Sequence, residues 1–476
     1  MTQAQQETEA NGAWRELVAG RYAPIAAVLA GGVLVEASNV YLTTSLLPTI
    51  VAEIGGADFY AWTMVTFLLA SVVSAMLVSR ILVQQGAVRA YLLALGLFAL
   101  GSVLCAASPW MSALLVGRTV QGLGGGLLAG LGYALIQRSL PRRLWARAAA
   151  LVSAMWGVGN VLGPVVGGVA AQLGAWRATF IGLALVCALI GVVVVRSMPA
   201  TARGASREAV PWTSLALLAT GVAAVGVASI VPSGAATVLA LVVGVALGAA
   251  FIRHEKRGGS GILPRVTFAR TSSLRWVYVT VAVMAFGIGT EAFIPLFGQE
   301  IGGLIPFVAG LMGAAVSLGW SLTQVVTANA TGDRSRRGLI LASPLVLGSG
   351  LAAYGVLQHS GPSALVVVLW FVALFVAGAG IGLGFPHLTV AALGSAGDGE
   401  EGAKAAAGVN TVFLIASAFS AAFAGVLVNL AAPDMVRSAQ LLMLVFAGFC
   451  LAGVVAARGA SRGIGPAAVV DVDEAA

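Results

Sequence analysis

The chain alternates long apolar runs with short polar joints. Fourteen runs have spanning length: 24–48, 61–83, 90–107, 111–137, 147–172, 177–195, 211–231, 234–252, 273–298, 304–329, 338–357, 362–390, 406–430 and 436–457. At ~1.5 Å per residue, about twenty helical residues cross a ~30 Å hydrocarbon core. Each run is therefore predicted to be a transmembrane helix. The first, Ile25–Pro48, carries a single acid near its middle, Glu36. A carboxylate at that depth costs about 2.5–3.5 kcal/mol, so the position marks chemistry.

The joints sort by charge. Of 26 lysines and arginines, all but Arg118, Arg177 and Arg437 fall in the terminal segments and in alternate joints on one side. The positive-inside rule makes that side cytoplasmic, with both termini inside, as an even number of spans requires. The charged connectors RSMPATARGASREAV and HEKRGGSGILPRVTFARTSSLR bracket two helices without any charge. The expected organisation is a cytoplasmic N-terminus (1–23), a six-helix bundle (24–196), a linker with two extra helices (197–272), a second six-helix bundle (273–458) and a cytoplasmic tail (459–476). Short basic turns at matching places, SRILVQQGAVR and TGDRSRRG, support a tandem repeat. That arrangement is expected of a carrier whose halves rock about a site near the midplane.

Composition agrees. The chain is 59% hydrophobic and 9% charged, against about a quarter charged in soluble domains, which excludes a soluble fold. The net charge of +8 is explained by topology, so no nucleic-acid partner is expected. Cys105, Cys187 and Cys450 lie inside apolar runs and imply neither a disulfide framework nor a metal site. The polar N-terminus has no signal-peptide pattern. No nucleophile–base pair, phosphate loop or His/Cys/Asp cluster appears in the joints, so an enzyme and a bound cofactor are not expected.

The candidate chemistry lies within the spans. Glu36 shares a helix face with Gly32, Asn39 and Thr43, a polar stripe able to line a wet cavity. The alternative is a carboxyl merely satisfied by neighbouring helices. Glu291 is the second buried acid, with glycines before it and Pro295 after it, which allow local bending and water access. Arg118 is the one cation inside a span, with Gln121 at i+3. Facing the bundle it would tune a nearby acid; facing lipid it would snorkel. These three, Glu36, Glu291 and Arg118, are the proton-coupling candidates. Trp320 and Gln324 share a face with Thr327, and His387 sits beside Pro386 near a helix end with a ring type that titrates near neutral pH. With Asn39, Thr43 and Gln121 they are the substrate-cavity candidates, or else simply bridge helices.

Gly122, Gly126 and Gly130 recur every fourth residue, as do Gly159, Gly163 and Gly167, the spacing of close helix packing. The run QGLGGGLLAGLG is not a dinucleotide loop, because no strand precedes it and it lies in an apolar span. Pro164 interrupts one backbone hydrogen bond beside the second set.

These residues resemble a known family. LLVGRTVQGLGGG (114–126) is similar to motif B of the major facilitator superfamily, with its arginine at Arg118, and GVGNVLGPVVGG (157–168) to motif C of its drug exporters, with Gly159, Gly163, Pro164, Gly167 and Gly168. The fourteen spans and IPLFGQEIGGLIPFVAGL (294–311) resemble the fourteen-helix drug:proton antiporters, in particular their actinobacterial members. Motif A departs from the pattern, with Val83 in place of its aspartate and Ala87-Val88 in place of its basic pair. Its second copy keeps Asp333, Arg334 and Arg337. The resemblance implies an all-α membrane protein of the major facilitator fold, resident in the cell membrane and acting as a monomer among membrane lipids. It implies proton-driven export of apolar or amphipathic, perhaps cationic, small molecules, with Glu36 in proton or cation handling. Export of a lipid-like metabolite is the alternative cargo, and a non-transporting sensor a distant one.

Overall fold

The structure is a computed structural model. It describes residues 14–198, 210–231, 234–257, 262–269, 272–328, 330, 332–395 and 400–462. Among these, fourteen helices are long and apolar enough to cross a membrane. Their main α-helices are α1 (Ala23–Ile54), α2 (Trp62–Ala75), α3 (Ala87–Ala106), α4 (Met111–Ala134), α5 (Trp145–Gln172), α6 (Trp176–Ser197), α7 (Trp212–Ile230), α8 (Ala235–Lys256), α9 (Leu274–Ile288), α10 (Pro306–Thr327), α11 (Asp333–Val356), α12 (Ala364–Ser395), α13 (Glu400–Ala431) and α14 (Met435–Ala452); the second span begins at Ala57, the ninth runs on to Glu300 and the last to Arg462. The C-terminal tail expected over 459–476 lies mostly outside the described residues.

Three spans differ from the sequence reading for local reasons. α1 runs through Pro48 to Ile54, because a proline removes one intrahelical bond and bends a helix that packing still supports. The second span breaks after Ala75 and resumes as an amphipathic segment, Val78–Gln85. That segment ends at Gly86, whose φ of 77° lies in the left-handed region that suits glycine. The ninth span turns into a 3-10 stretch at Gly289–Phe293 before Ile294–Glu300 resumes the α form.

The helices divide into two compact units. Unit 1 comprises residues 1–56 and 66–210, and unit 2 comprises 57–65 and 211–476. In unit 1, α1 packs along α5 and also touches α4 and α6, while α3 packs on α4 and α6. In unit 2, α12 lies against α10 and α11, α11 against α14, and α9 against α13. The two linker helices α7 and α8 pack on each other, and α7 packs on α13; α8 runs beyond its apolar stretch to take in Arg253, Glu255 and Lys256. Trp62 Nε1 donates to Gly226 O at 3.1 Å, and Asn429 Nδ2 donates to both Ser229 O and Asp58 O. These bonds tie α7 to the start of the second span and to α13.

Candidate functional site

In unit 1 the polar residues of α1 meet those of α3 and α4 in one buried chain. Glu36 lies ~20 Å along α1 from its start, by the helical rise. Asn39 Oδ1 accepts from Thr43 Oγ1 at 3.5 Å and from Arg118 Nη1 at 3.4 Å. The same Arg118 nitrogen donates to Gln121 Oε1 at 2.5 Å. Gln121 Nε2 donates to Ser102 Oγ at 2.8 Å, and Ser102 closes the chain on Phe98 O. Arg118 is fully buried and its guanidinium lies 4.2 Å from the Phe67 ring centroid, a cation–π contact that strengthens where water is excluded. Arg118 therefore faces the bundle and does not snorkel.

Glu36 borders this chain. It is 4% exposed, and among the described residues its Oε2 has no hydrogen-bond partner. Asn39 Nδ2 and Ser38 Oγ on α1, and Asn160 Oδ1 on α5, are buried without partners as well. Such groups each cost about 1–3 kcal/mol in a dry interior, and functional sites are where they are tolerated. A carboxyl with one oxygen uncommitted can take up a proton or a cation. Arg118 is close enough for its charge to act on Glu36.

Glycine makes this closeness possible. A Cβ on Gly125 would lie 3.3 Å from Glu36 Cγ and 3.0 Å from Phe67 Cζ. Gly122 and Gly126 back onto Phe67 O and Ser71 O of α2, where a Cβ would come within 2.3 and 2.1 Å. Gly124 faces α3 instead, at Phe98 N. The glycine run of α4 thus serves two helix contacts besides the one by Glu36. On α5, Gly159, Gly163 and Gly167 pack on Ala37, Ser38 and Leu42 of α1, so motif C grips the helix that carries Glu36, on a different face. Pro164 lies inside α5 without ending it, and Gly168 is buried.

Unit 2 holds the remaining candidates in looser company. Glu291 sits in the 3-10 stretch, 7% exposed, and its Oε1 accepts from Ser317 Oγ of α10 at 3.5 Å. Trp320 and Gln324 follow Ser317 on the same face of α10, and Trp320 Nε1 donates to Gln324 Oε1 at 2.9 Å. The Trp320 ring meets Phe385 of α12 and Phe413 of α13 at 5.9 and 6.0 Å between centroids. His387 is buried rather than solvated, with Nε2 unpartnered. Asp333 and Arg334 are exposed in the first turn of α11, where an acid suits the positive end of the helix dipole.

The sequence reading missed Ser102, Phe67 and the Phe385–Phe413 pair, which are ordinary residues until the fold brings them together. It also missed Glu255, placed in a charged connector by its neighbours. Glu255 is buried, accepting from Ser214 Oγ of α7 at 2.5 Å and from Leu263 N at 3.0 Å. Among the described residues, no group of three or more His, Cys, Asp or Glu could hold a metal ion.

A polar chain buried among spans, on a two-unit helical scaffold, is the construction of a carrier. The profile of the Major Facilitator Superfamily matches residues 29–402. The chain belongs to that superfamily. It is 42% identical over 469 residues to a "probable multidrug-efflux transporter" of Mycobacterium tuberculosis, covering 97% of this chain and 98% of that one. Among solved structures, the peptide transporter POT, as a Glu-to-Gln point mutant in complex with sulfate, aligns with a TM-score of 0.68 at 15% identity, over 98% of this chain and 99% of that one. The xylose transporter XylE of E. coli, in a partially occluded inward-open conformation, aligns with a TM-score of 0.61 at 13% identity, over 91% and 97%. At such identities the likeness is one of fold. This superfamily member is a multi-pass membrane transporter and not an enzyme.

Proposed function

We propose that the protein is a proton-coupled exporter of apolar and amphipathic small molecules, cationic ones included, working in the cell membrane with both ends of the chain in the cytoplasm. The observation that carries this reading is the Glu36 carboxyl, buried mid-span with one oxygen unpartnered beside the Arg118–Asn39–Gln121 chain. The name of the mycobacterial relative supports an efflux substrate class, and the bias of Lys and Arg to one set of joints supports the orientation.

In the cycle we infer, Glu36 takes a proton while open to the outside. Loss of that proton inside restores a carboxylate able to hold a cationic or polar-headed substrate. Arg118 supplies a fixed counter-charge that competes with the substrate for Glu36. Each pH unit contributes ~1.4 kcal/mol per proton, and each 100 mV ~2.3 kcal/mol per charge moved. One or two protons therefore drive a steep gradient.

The test is substrate-induced proton release from proteoliposomes, using a panel of lipophilic cations. Wild-type protein is expected to release protons on substrate addition and Glu36→Gln to release none. Unchanged coupling in Glu36→Gln removes this residue from the mechanism.

A further inference from the structure

A second feature of unit 1 lies away from the polar chain, on the outer surface between α3 and α6. There the helices part to leave an open groove of about 500 Å³. Its walls include Leu92, Gly96 and Ala99 of α3 and Ala188 and Gly191 of α6, and its one charged liner is Arg196. The space exists because the lining is small. A Cβ on Gly96 would meet nothing within 4 Å, and one on Gly191 would first meet Leu92 Cδ2 at 3.7 Å.

The basic end is double. α3 and α6 are separated by two intervening spans and so run antiparallel, which brings the start of α3 beside the end of α6. Arg89 lies one turn before Leu92 on the same face of α3. Arg89 and Arg196 are both exposed, and among the described residues neither takes part in an ion pair.

We propose that this groove is a binding site for one anionic diacyl phospholipid, held as a resident ligand and not as cargo. An acyl chain lies along the Gly96–Gly191 trough, and the phosphate is held at Arg89 and Arg196. The charge pattern selects this occupant. Two guanidinium groups at one mouth match a phosphodiester by paired N–H donors, and the rest of the lining, aliphatic apart from the buried Cys187 thiol, suits hydrocarbon. Basic residues at the edge of a span attract anionic lipid in this way.

Native mass spectrometry of the purified full-length protein tests the site, with phosphatidylglycerol and phosphatidylcholine of identical acyl chains as probes. Wild type is expected to retain phosphatidylglycerol in preference. Removing both charges in an Arg89→Gln/Arg196→Gln double variant is expected to weaken phosphatidylglycerol by about 25-fold, on the order of fivefold for each basic residue, and to weaken phosphatidylcholine far less, because its choline cation already offsets the charge of the phosphodiester that the arginines hold. Gly96→Leu puts a side chain into open space, so it is expected to fold as wild type and to weaken both lipids. Equal retention of the two lipids by wild type, or undiminished phosphatidylglycerol binding in the double variant, overturns the headgroup assignment. Undiminished binding of both lipids to Gly96→Leu overturns the groove. The Gly96→Leu arm stands even where the double variant fails to fold.

Discussion

Glu36 and Glu255 are both buried carboxylates, and the protein treats them in opposite ways. Glu255 in unit 2 has each oxygen engaged, one by Ser214 Oγ and one by the Leu263 N–H. It staples the end of α8 to α7 and to the segment that follows. Glu36 in unit 1 keeps Oε2 without a partner although a network of donors and acceptors runs beside it. Glu291 stands between the two, with one long bond from Ser317. Burial alone therefore does not mark a functional acid. A carboxyl with both oxygens engaged is a joint, and one left partly uncommitted is available for exchange.

The contrast breaks first at Glu36. An amide there keeps the shape but cannot exchange a proton, so substrate-dependent proton flux is expected to be lost. Glu291→Gln in the same assay is expected to cost less than about threefold, below the ~1 kcal/mol net value of an ordinary hydrogen bond. Equal losses at the two positions would make them a pair and erase the distinction between the units.

The next largest effect is expected in the packing that brings Glu36 to its place. In Gly126→Val the new Cβ would lie 2.1 Å from Ser71 O, so α2 and α4 must separate, at about 1–3 kcal/mol. Gly96→Ala, with open space around it, is the control and is expected to leave the unfolding temperature unchanged. Glu255→Ala removes both acceptor oxygens and leaves the Ser214 hydroxyl and the Leu263 N–H without that partner. The cost is about 1–2 kcal/mol, read as a lower unfolding temperature, with proton coupling per transported molecule intact. Lost coupling in that variant would show that Glu255 is more than a joint.

How far the sequence reached follows the same line. The fourteen spans were legible because length and apolar character suffice to define a membrane helix. The buried acids Glu36 and Glu291 and the buried Arg118 were legible because a charge within an apolar run stands out. What was not legible is whom each group meets. Gln121 reaches Ser102 across helices, and nothing in the local sequence of Ser102 announces it. Glu255 was hidden by its neighbours His254, Lys256 and Arg257, which read as a solvated joint although the acid itself turns inward. The stripe of Gly122, Gly126 and Gly130 was legible and packs on Phe67, Ser71 and Val78 of the second span, whereas nothing in the spacing showed that Gly124, outside it, faces α3. Helix period locates a face, and only tertiary structure says what it touches.

The smallest expected effect lies outside the spans, where an acid is fully engaged but exposed. The Arg143 guanidinium donates to both oxygens of Glu16, at 3.3 and 2.5 Å, and ties the short helix Trp14–Ala19 to the joint before α5. The hydrogen bond from Arg143 holds the Glu16 carboxyl below the usual range. A lowered folded-state value means that the contribution is fully present above the ordinary glutamate value of about 4.3 and is lost as pH falls through the lower, folded value. Hydrogen exchange over residues 14–19, taken relative to the intrinsic amide rate at each pH, should thus be flat from neutral pH down to about 4.3, by that reference, and rise only below it. Arg143→Gln is expected to raise that relative exchange wherever Glu16 is ionised and to change nothing once it is protonated. The rise should be modest, since both partners are exposed enough for solvent to screen them and the buried Leu17 still anchors the helix. Loosening that begins well above the glutamate range would mean that another group holds this helix, and the exposed pair would then be incidental.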